Sequence, residues 1–67
     1  MFMFASGEVY DGNWVNGNRN GYGVNYFLNG EIYVGYWKNN LKHGEGTYYY
    51  KDKTIFKGGW LDDYKVV

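Results

Sequence analysis

The chain repeats itself every 23 residues, and that period constrains the fold more than any other feature of its 67 residues. Tyr10, Gly12 and Trp14 return as Tyr33, Gly35 and Trp37, and again as Phe56, Gly58 and Trp60. Between residues 7–29 and 30–52, nine of 23 positions are identical: Gly7, Glu8, Tyr10, Gly12, Trp14, Asn16, Gly21, Gly23 and Tyr26. Val9/Ile32, Arg19/Lys42 and Phe27/Tyr50 are close swaps. A chain of this kind stacks one supersecondary unit on the next, each covering a face that its neighbour cannot bury alone. It forms a single domain over residues 1–67: a half repeat at 1–6, whole repeats at 7–29 and 30–52, and a partial third at 53–67.

Within a repeat the apolar period is two, which places Tyr10, Gly12 and Trp14 on one face of a strand. Gly21, Gly23, Asn25 and Phe27 share a face in the next strand, as do Gly44, Gly46, Tyr48 and Tyr50. Sixteen aromatics favour strands, and 11 Gly with no Pro favour turns and close backbone approach. The glycine spacing interrupts every candidate helix. The expected fold is all-β: an antiparallel hairpin meander in one single-layer twisted sheet of about six strands, near 1–5, 8–15, 21–28, 31–38, 44–51 and 54–61. Asn29-Gly30 reads as a two-residue hairpin with both residues at positive φ. Asn16 to Gly21 and Asn39 to Gly44 read as longer connections, and Lys53, at the place of Gly30, implies a different last turn. Gly12, Gly35 and Gly58 each cost roughly 0.5–1 kcal/mol in mid-strand, which a ring from a neighbouring strand lying over bare backbone would explain. Trp14, Trp37 and Trp60 are then core residues first.

Tyr-x-Gly-x-Trp, a Gly/Asn turn, then Gly-x-Gly and an aromatic residue resembles the MORN (membrane occupation and recognition nexus) repeat. The resemblance covers essentially the whole chain. Its fullest copy runs from Tyr33-Val34-Gly35-Tyr36-Trp37 to His43-Gly44-Glu45-Gly46. Departures are Asn20 for the family's His, Asn40 for the Gly seen at Gly17, Lys53 for Gly, and Phe56 for Tyr. The resemblance implies an open, solenoid-like ribbon and a scaffold role, as in cilia, parasite cytoskeletons and membrane-contact structures. It equally implies a cytoplasmic location, with cytoskeletal or membrane association. Two alternatives come with it: peripheral binding of phosphoinositides or other acidic phospholipids, and a regulatory segment of a larger enzyme such as a phosphatidylinositol phosphate kinase or a lysine methyltransferase.

The residues themselves point to no chemistry of bond-making. Seven Lys+Arg balance seven Asp+Glu, which excludes a nucleic-acid binder relying on phosphate neutralisation. There is no Cys, hence no disulfide or thiolate–metal framework. His43 is the only His and Ser6 the only Ser, both in turn positions. Gly17-x-x-x-Gly21-x-Gly23 lacks the Lys-Ser/Thr ending and the following helix of a phosphate loop. Glu8 and Glu31 are equivalent strand positions, not a carboxylate pair. No catalytic residue, cofactor site or metal site is expected, and the chain is not read as an enzyme. The candidate partner-binding groove is Tyr10, Trp14, Tyr33, Trp37, Tyr48, Tyr50, Phe56 and Trp60, aromatics being the class that anchors interfaces. Arg19, Lys42, Lys51, Lys53 and Lys57 are candidate weak contacts to an anionic lipid surface. Strands 1–5 and 54–61 are expected as exposed sheet edges, so either the native protein is longer or edges pair between copies, most simply about a two-fold axis.

Overall fold

A computed structural model describes residues 1–67. Seven strands form one antiparallel sheet in chain order: β1 (Phe2–Met3), β2 (Val9–Val15), β3 (Asn18–Tyr26), β4 (Ile32–Lys38), β5 (Leu41–Tyr49), β6 (Ile55–Leu61) and β7 (Tyr64–Lys65). There is no helix. The seventh strand, Tyr64–Lys65, lies beyond the six expected ones and begins the second strand of the third repeat.

Two kinds of turn alternate along the meander, and they are distributed differently from the sequence expectation. The tight two-residue turns are Asn16-Gly17, Asn39-Asn40 and Asp62-Asp63, whose φ values run from 47° to 78°. Both central residues are left-handed, the geometry that matches strand twist and that Asn, Asp and Gly tolerate. The segments expected as long connections are therefore mostly strand: Asn18 and Arg19 pair with Val15 and Trp14. Their polarity concealed this.

Asn29-Gly30 belongs to the other kind. Only Gly30 has positive φ, at 91°. Its amide donates to the Phe27 carbonyl at 3.1 Å, and the Phe27 amide donates to the Glu31 carbonyl at 2.9 Å. Asn29 Oδ1 accepts from the Glu31 amide, as Ser6 Oγ does from Glu8 and Asp52 Oδ1 from Thr54. The loop at Lys53 has the same hydrogen bonds, Lys53 to Tyr50 and Tyr50 to Thr54, with Lys53 at φ 78°. A different last turn is not found; one lysine is simply held in the left-handed region by a loop its neighbours determine.

A row of glycines crosses the sheet from β2 to β6, with Cα partners Gly12, Gly23, Gly35, Gly46 and Gly58. The Tyr10 ring covers Gly23 and the Tyr33 ring covers Gly46, so a Cβ at either would fall inside a ring. At Gly35 the obstruction is first backbone: a Cβ would lie 2.5 Å from Gly46 Cα and 2.8 Å from the Tyr33 hydroxyl. The cross-strand ring thus lies over the glycine opposite the one expected. Each hydroxyl reaches past the row to donate to a carbonyl, Tyr10 to Asn13 and Tyr33 to Tyr36, both at 3.0 Å. Those carbonyls become reachable because the ladder is bulged between Gly12 and Trp14 and between Gly35 and Trp37.

The tryptophans do not stack on one another. They interleave with the Tyr/Phe series, Trp14–Tyr10–Trp37–Tyr33–Trp60–Phe56, at centroid separations of 5.0, 5.7, 5.1, 5.4 and 5.6 Å, each pair edge to face. Such pairs contribute about 0.5–1.5 kcal/mol each beyond burial. This zipper is the core: Tyr10, Tyr33, Trp37 and Trp60 are the buried apolar residues.

Candidate functional site

On the aromatic face, one cation per repeat sits among the rings, at Arg19, Lys42 and Lys65. The Arg19 guanidinium lies 4.3 Å from the Trp37 centroid, 5.3 Å from Phe4 and 6.0 Å from Tyr10. Its Nη1 donates to Asn25 Oδ1 and its Nε to Asn40 Oδ1, both at 2.8 Å. Burial pulls its pKa below the ordinary arginine value. Lys42 Nζ lies 5.2 Å from Trp60, 5.7 Å from Tyr48 and 5.9 Å from both Phe27 and Tyr33, with Asp63 Oδ1 at 3.4 Å. Lys65 Nζ has only Phe56 and Tyr50, at 5.0 and 5.1 Å. Cation–ring contacts are worth about 0.5–1 kcal/mol at an exposed cation such as Lys65 and up to about 2 kcal/mol as the cation is desolvated, the direction in which the half-buried Arg19 and Lys42 lie.

The structure brings the eight candidate groove aromatics together on this one face. Tyr10, Tyr33, Trp37 and Trp60 are buried beneath it, and Trp14, Tyr48, Tyr50 and Phe56 are half-buried around them. Burial raises the pKa of Tyr10 and pushes Tyr33 up to about 12. Tyr48 is raised by burial and by the Glu31 carboxylate, to which its hydroxyl donates at 2.8 Å. That bond and the Lys51 amide hold Glu31 below the usual carboxylate range. The five candidate lipid-contact cations divide. Arg19 and Lys42 are occupied inside the boxes just described. Lys51, Lys53 and Lys57 are exposed around β6, and none is in a salt bridge. His43 Nδ1 lies 3.4 Å from Asp62 Oδ1. No three His, Cys, Asp or Glu side chains are grouped to hold a metal ion.

The opposite face carries a row that the sequence reading passed over. Met3, Val9, Tyr26, Ile32, Tyr49 and Ile55 are successive cross-strand partners from β1 to β6. Tyr26 is 45% exposed, Tyr49 41% and Ile55 60%. Beside this row, Tyr22 faces Tyr36 across the ladder with centroids 5.2 Å apart, and both are half-exposed. The signal was available: Tyr26/Tyr49 and Val9/Ile32/Ile55 recur at 23 residues, in the strand parity opposite to Tyr10, Gly12 and Trp14.

Compared with known families, the chain matches the MORN repeat at residues 10–31 and 33–55, two matches whose starts are one structural period apart. No curated protein matches it.

Proposed function

The chain belongs to the MORN-repeat family, and from that premise we propose that it is a non-catalytic module that binds another protein across its open sheet face. The observation that supports this reading is the row Met3, Val9, Tyr26, Ile32, Tyr49 and Ile55. Six strands present apolar side chains in register, and tyrosines supply large contact area at low entropic cost. The aromatic face is less suited to the task, because its largest rings are consumed by the core and two of its cations by those rings. A partner meeting the open face would lie across the strands and read a Tyr/aliphatic alternation at the strand spacing of about 4.8 Å.

The test uses photo-crosslinkers at Tyr22 and Tyr36, both half-exposed on this face, and the paired variant Tyr26→Ser/Tyr49→Ser. Capture of one defined protein at both positions, lost in the paired variant while the melting temperature holds, supports the reading. Capture that survives the paired variant rejects it. Co-sedimentation with acidic phospholipid vesicles, abolished by neutralising Lys51, Lys53 and Lys57, would replace it with a membrane-surface role.

A further inference from the structure

Between β2 and β6 the open face consists of three rows of cross-strand partners. The first is Val9, Tyr26, Ile32, Tyr49 and Ile55, and the second is Asp11, Val24, Val34, Thr47 and Lys57. The third holds Tyr22 with Tyr36 and, at the same level, Glu45 with Gly59. Positions 23 residues apart are equivalent, so the first row alternates aliphatic and tyrosine and reads alike in both directions from Ile32. The repeat dictates that symmetry but not the departures from it. Asp11, Val34 and Lys57 fill one equivalent position with three different charges, and Tyr22 and Glu45 fill another with two different chemistries. Asp11 and Lys57 are exposed. Lys57 is in no salt bridge, and Asp11 meets only the exposed Met1 amine, at 3.9 Å.

We propose that the occupant of this face is a second copy of the chain, packed face to face about a two-fold axis running along β4. This rests on the open-face reading above and names its partner. Rotation about that axis lays β2 over β6 of the second copy and β4 over β4, and it returns each row to itself. Asp11 then meets Lys57 of the second copy, and Lys57 meets its Asp11. Val9 meets Ile55 and Tyr26 meets Tyr49. The Tyr22 hydroxyl faces the Glu45 carboxylate, as Tyr48 donates to Glu31 within the chain. Each of these pairs occurs twice, as an isologous interface requires. The charges select this axis. An axis along β3 or β5 lays Asp11 or Lys57 over Val34, and one along the row lays each charge over its own copy. Face-packed sheets lie about 10 Å apart with strands rotated by about 30°, a gap that a lysine and an aspartate together bridge. Lys38, at the tight-turn end of β4, would meet its own copy near the axis, so the contact stops short of it. Five strands at about 4.8 Å by five residues at about 3.3 Å give a footprint of about 400 Å² on each copy. That is the small end of specific interfaces, so the dimer is weak and concentration-dependent. Only β2 to β6 take part, and neither end of the sheet is used.

Sedimentation of the full chain from about 10 μM to about 1 mM is the test, with circular dichroism confirming that each variant folds. Wild type is expected to pass from monomer to dimer and to form nothing larger. Asp11→Lys places lysine over lysine at both pairs, and Lys57→Asp places aspartate over aspartate. Each should weaken association by about tenfold or more. An equimolar mixture of the two restores both opposite-charge pairs and should dimerise as wild type does, as should the double variant Asp11→Lys/Lys57→Asp alone. Tyr26→Ser/Tyr49→Ser should abolish the dimer. Dimerisation indifferent to the single charge reversals, or a mixture that stays monomeric, overturns the proposal. A wild type monomeric at about 1 mM also overturns it. In that case, capture of a different protein at Tyr22 and Tyr36 keeps the open-face reading, and capture of none removes that reading as well.

Discussion

The box around Arg19 and the box around Lys42 occupy the same place in successive repeats, yet they neutralise their cations by different means. Arg19 spreads its planar fork over two neutral amide oxygens, from Asn25 and Asn40. Lys42 is a point charge beside one carboxylate, Asp63, and the position of Asn25 is taken by the Tyr48 ring. What stays constant is the backbone bond across the tight turns and the rings above and below the cation. Residues 19, 25 and 40 thus change together into 42, 48 and 63. The unit that varies between repeats is the trio, and the aromatic frame is the part that does not vary.

The most severe way to break the comparison is to attack what both boxes share. Gly46→Val and Gly23→Val each drive a side chain into a tyrosine ring, and a domain this small has only about 5 kcal/mol of stability to lose. Neither variant should show a cooperative thermal transition in near-ultraviolet circular dichroism. A transition within a few degrees of wild type in either would remove the ring-over-glycine account.

Alkaline titration comes next. Tyr33, buried and raised to about 12 from 10, keeps its proton in the folded chain after the unfolded chain has lost it. Stability should therefore be unaffected by this group below pH 10 and fall as pH rises from 10 to 12, by roughly 2–3 kcal/mol. Urea unfolding at several pH values measures it. Tyr33→Phe, which copies the natural Phe56 of the third repeat, should flatten that slope; an unchanged slope would assign the alkaline loss to other groups.

Exchanging the cations sharpens the comparison directly. Arg19→Lys forfeits two short bonds to Asn25 and Asn40 and should cost about 1–3 kcal/mol. Lys42→Arg keeps its carboxylate partner and should cost less than about 1 kcal/mol. Equal costs in denaturant titrations would mean that the two trios are interchangeable.

The smallest effect concerns the loops. Lys53→Gly removes a left-handed lysine from a loop that the first and second repeats build with Gly7 and Gly30, and should stabilise by about 0.5–1 kcal/mol. A neutral or destabilising outcome by calorimetry would show that the Lys53 conformation is unstrained.

The strand faces were legible in the sequence because Tyr-x-Gly-x-Trp alternates with a period that only a strand can express. Turn type was not, and the reason is instructive. The same dipeptide, Asn-Gly, occurs at Asn16-Gly17 with both residues left-handed and at Asn29-Gly30 with only the glycine so. Equivalent positions separate the two: Asn39-Asn40 and Asp62-Asp63 tolerate positive φ twice, whereas Ser6-Gly7 and Asp52-Lys53 place a side-chain acceptor first. The cation boxes were hidden for another reason. Arg19 and Asn40 belong to different repeats, and only the cross-strand packing of the finished sheet brings them within 2.8 Å. The groove candidates were chosen by aromatic character, which does not distinguish a ring that packs inward from one, such as Tyr49, that faces out.

Strand order that follows chain order makes the 23-residue unit a ruler. Duplication of one unit would advance every later side chain by two strand spacings, about 10 Å, and return each to the face it left. Loss of one unit would do the reverse. An insertion of any other length has to bulge out at a turn, or it moves the following strand out of register and, when odd in number, exchanges its faces. Length in this architecture is thereby quantised. A lineage carrying it can lengthen or shorten a contact surface by in-frame copying of 69 nucleotides, about the simplest genetic event available, without disturbing a packed ring elsewhere.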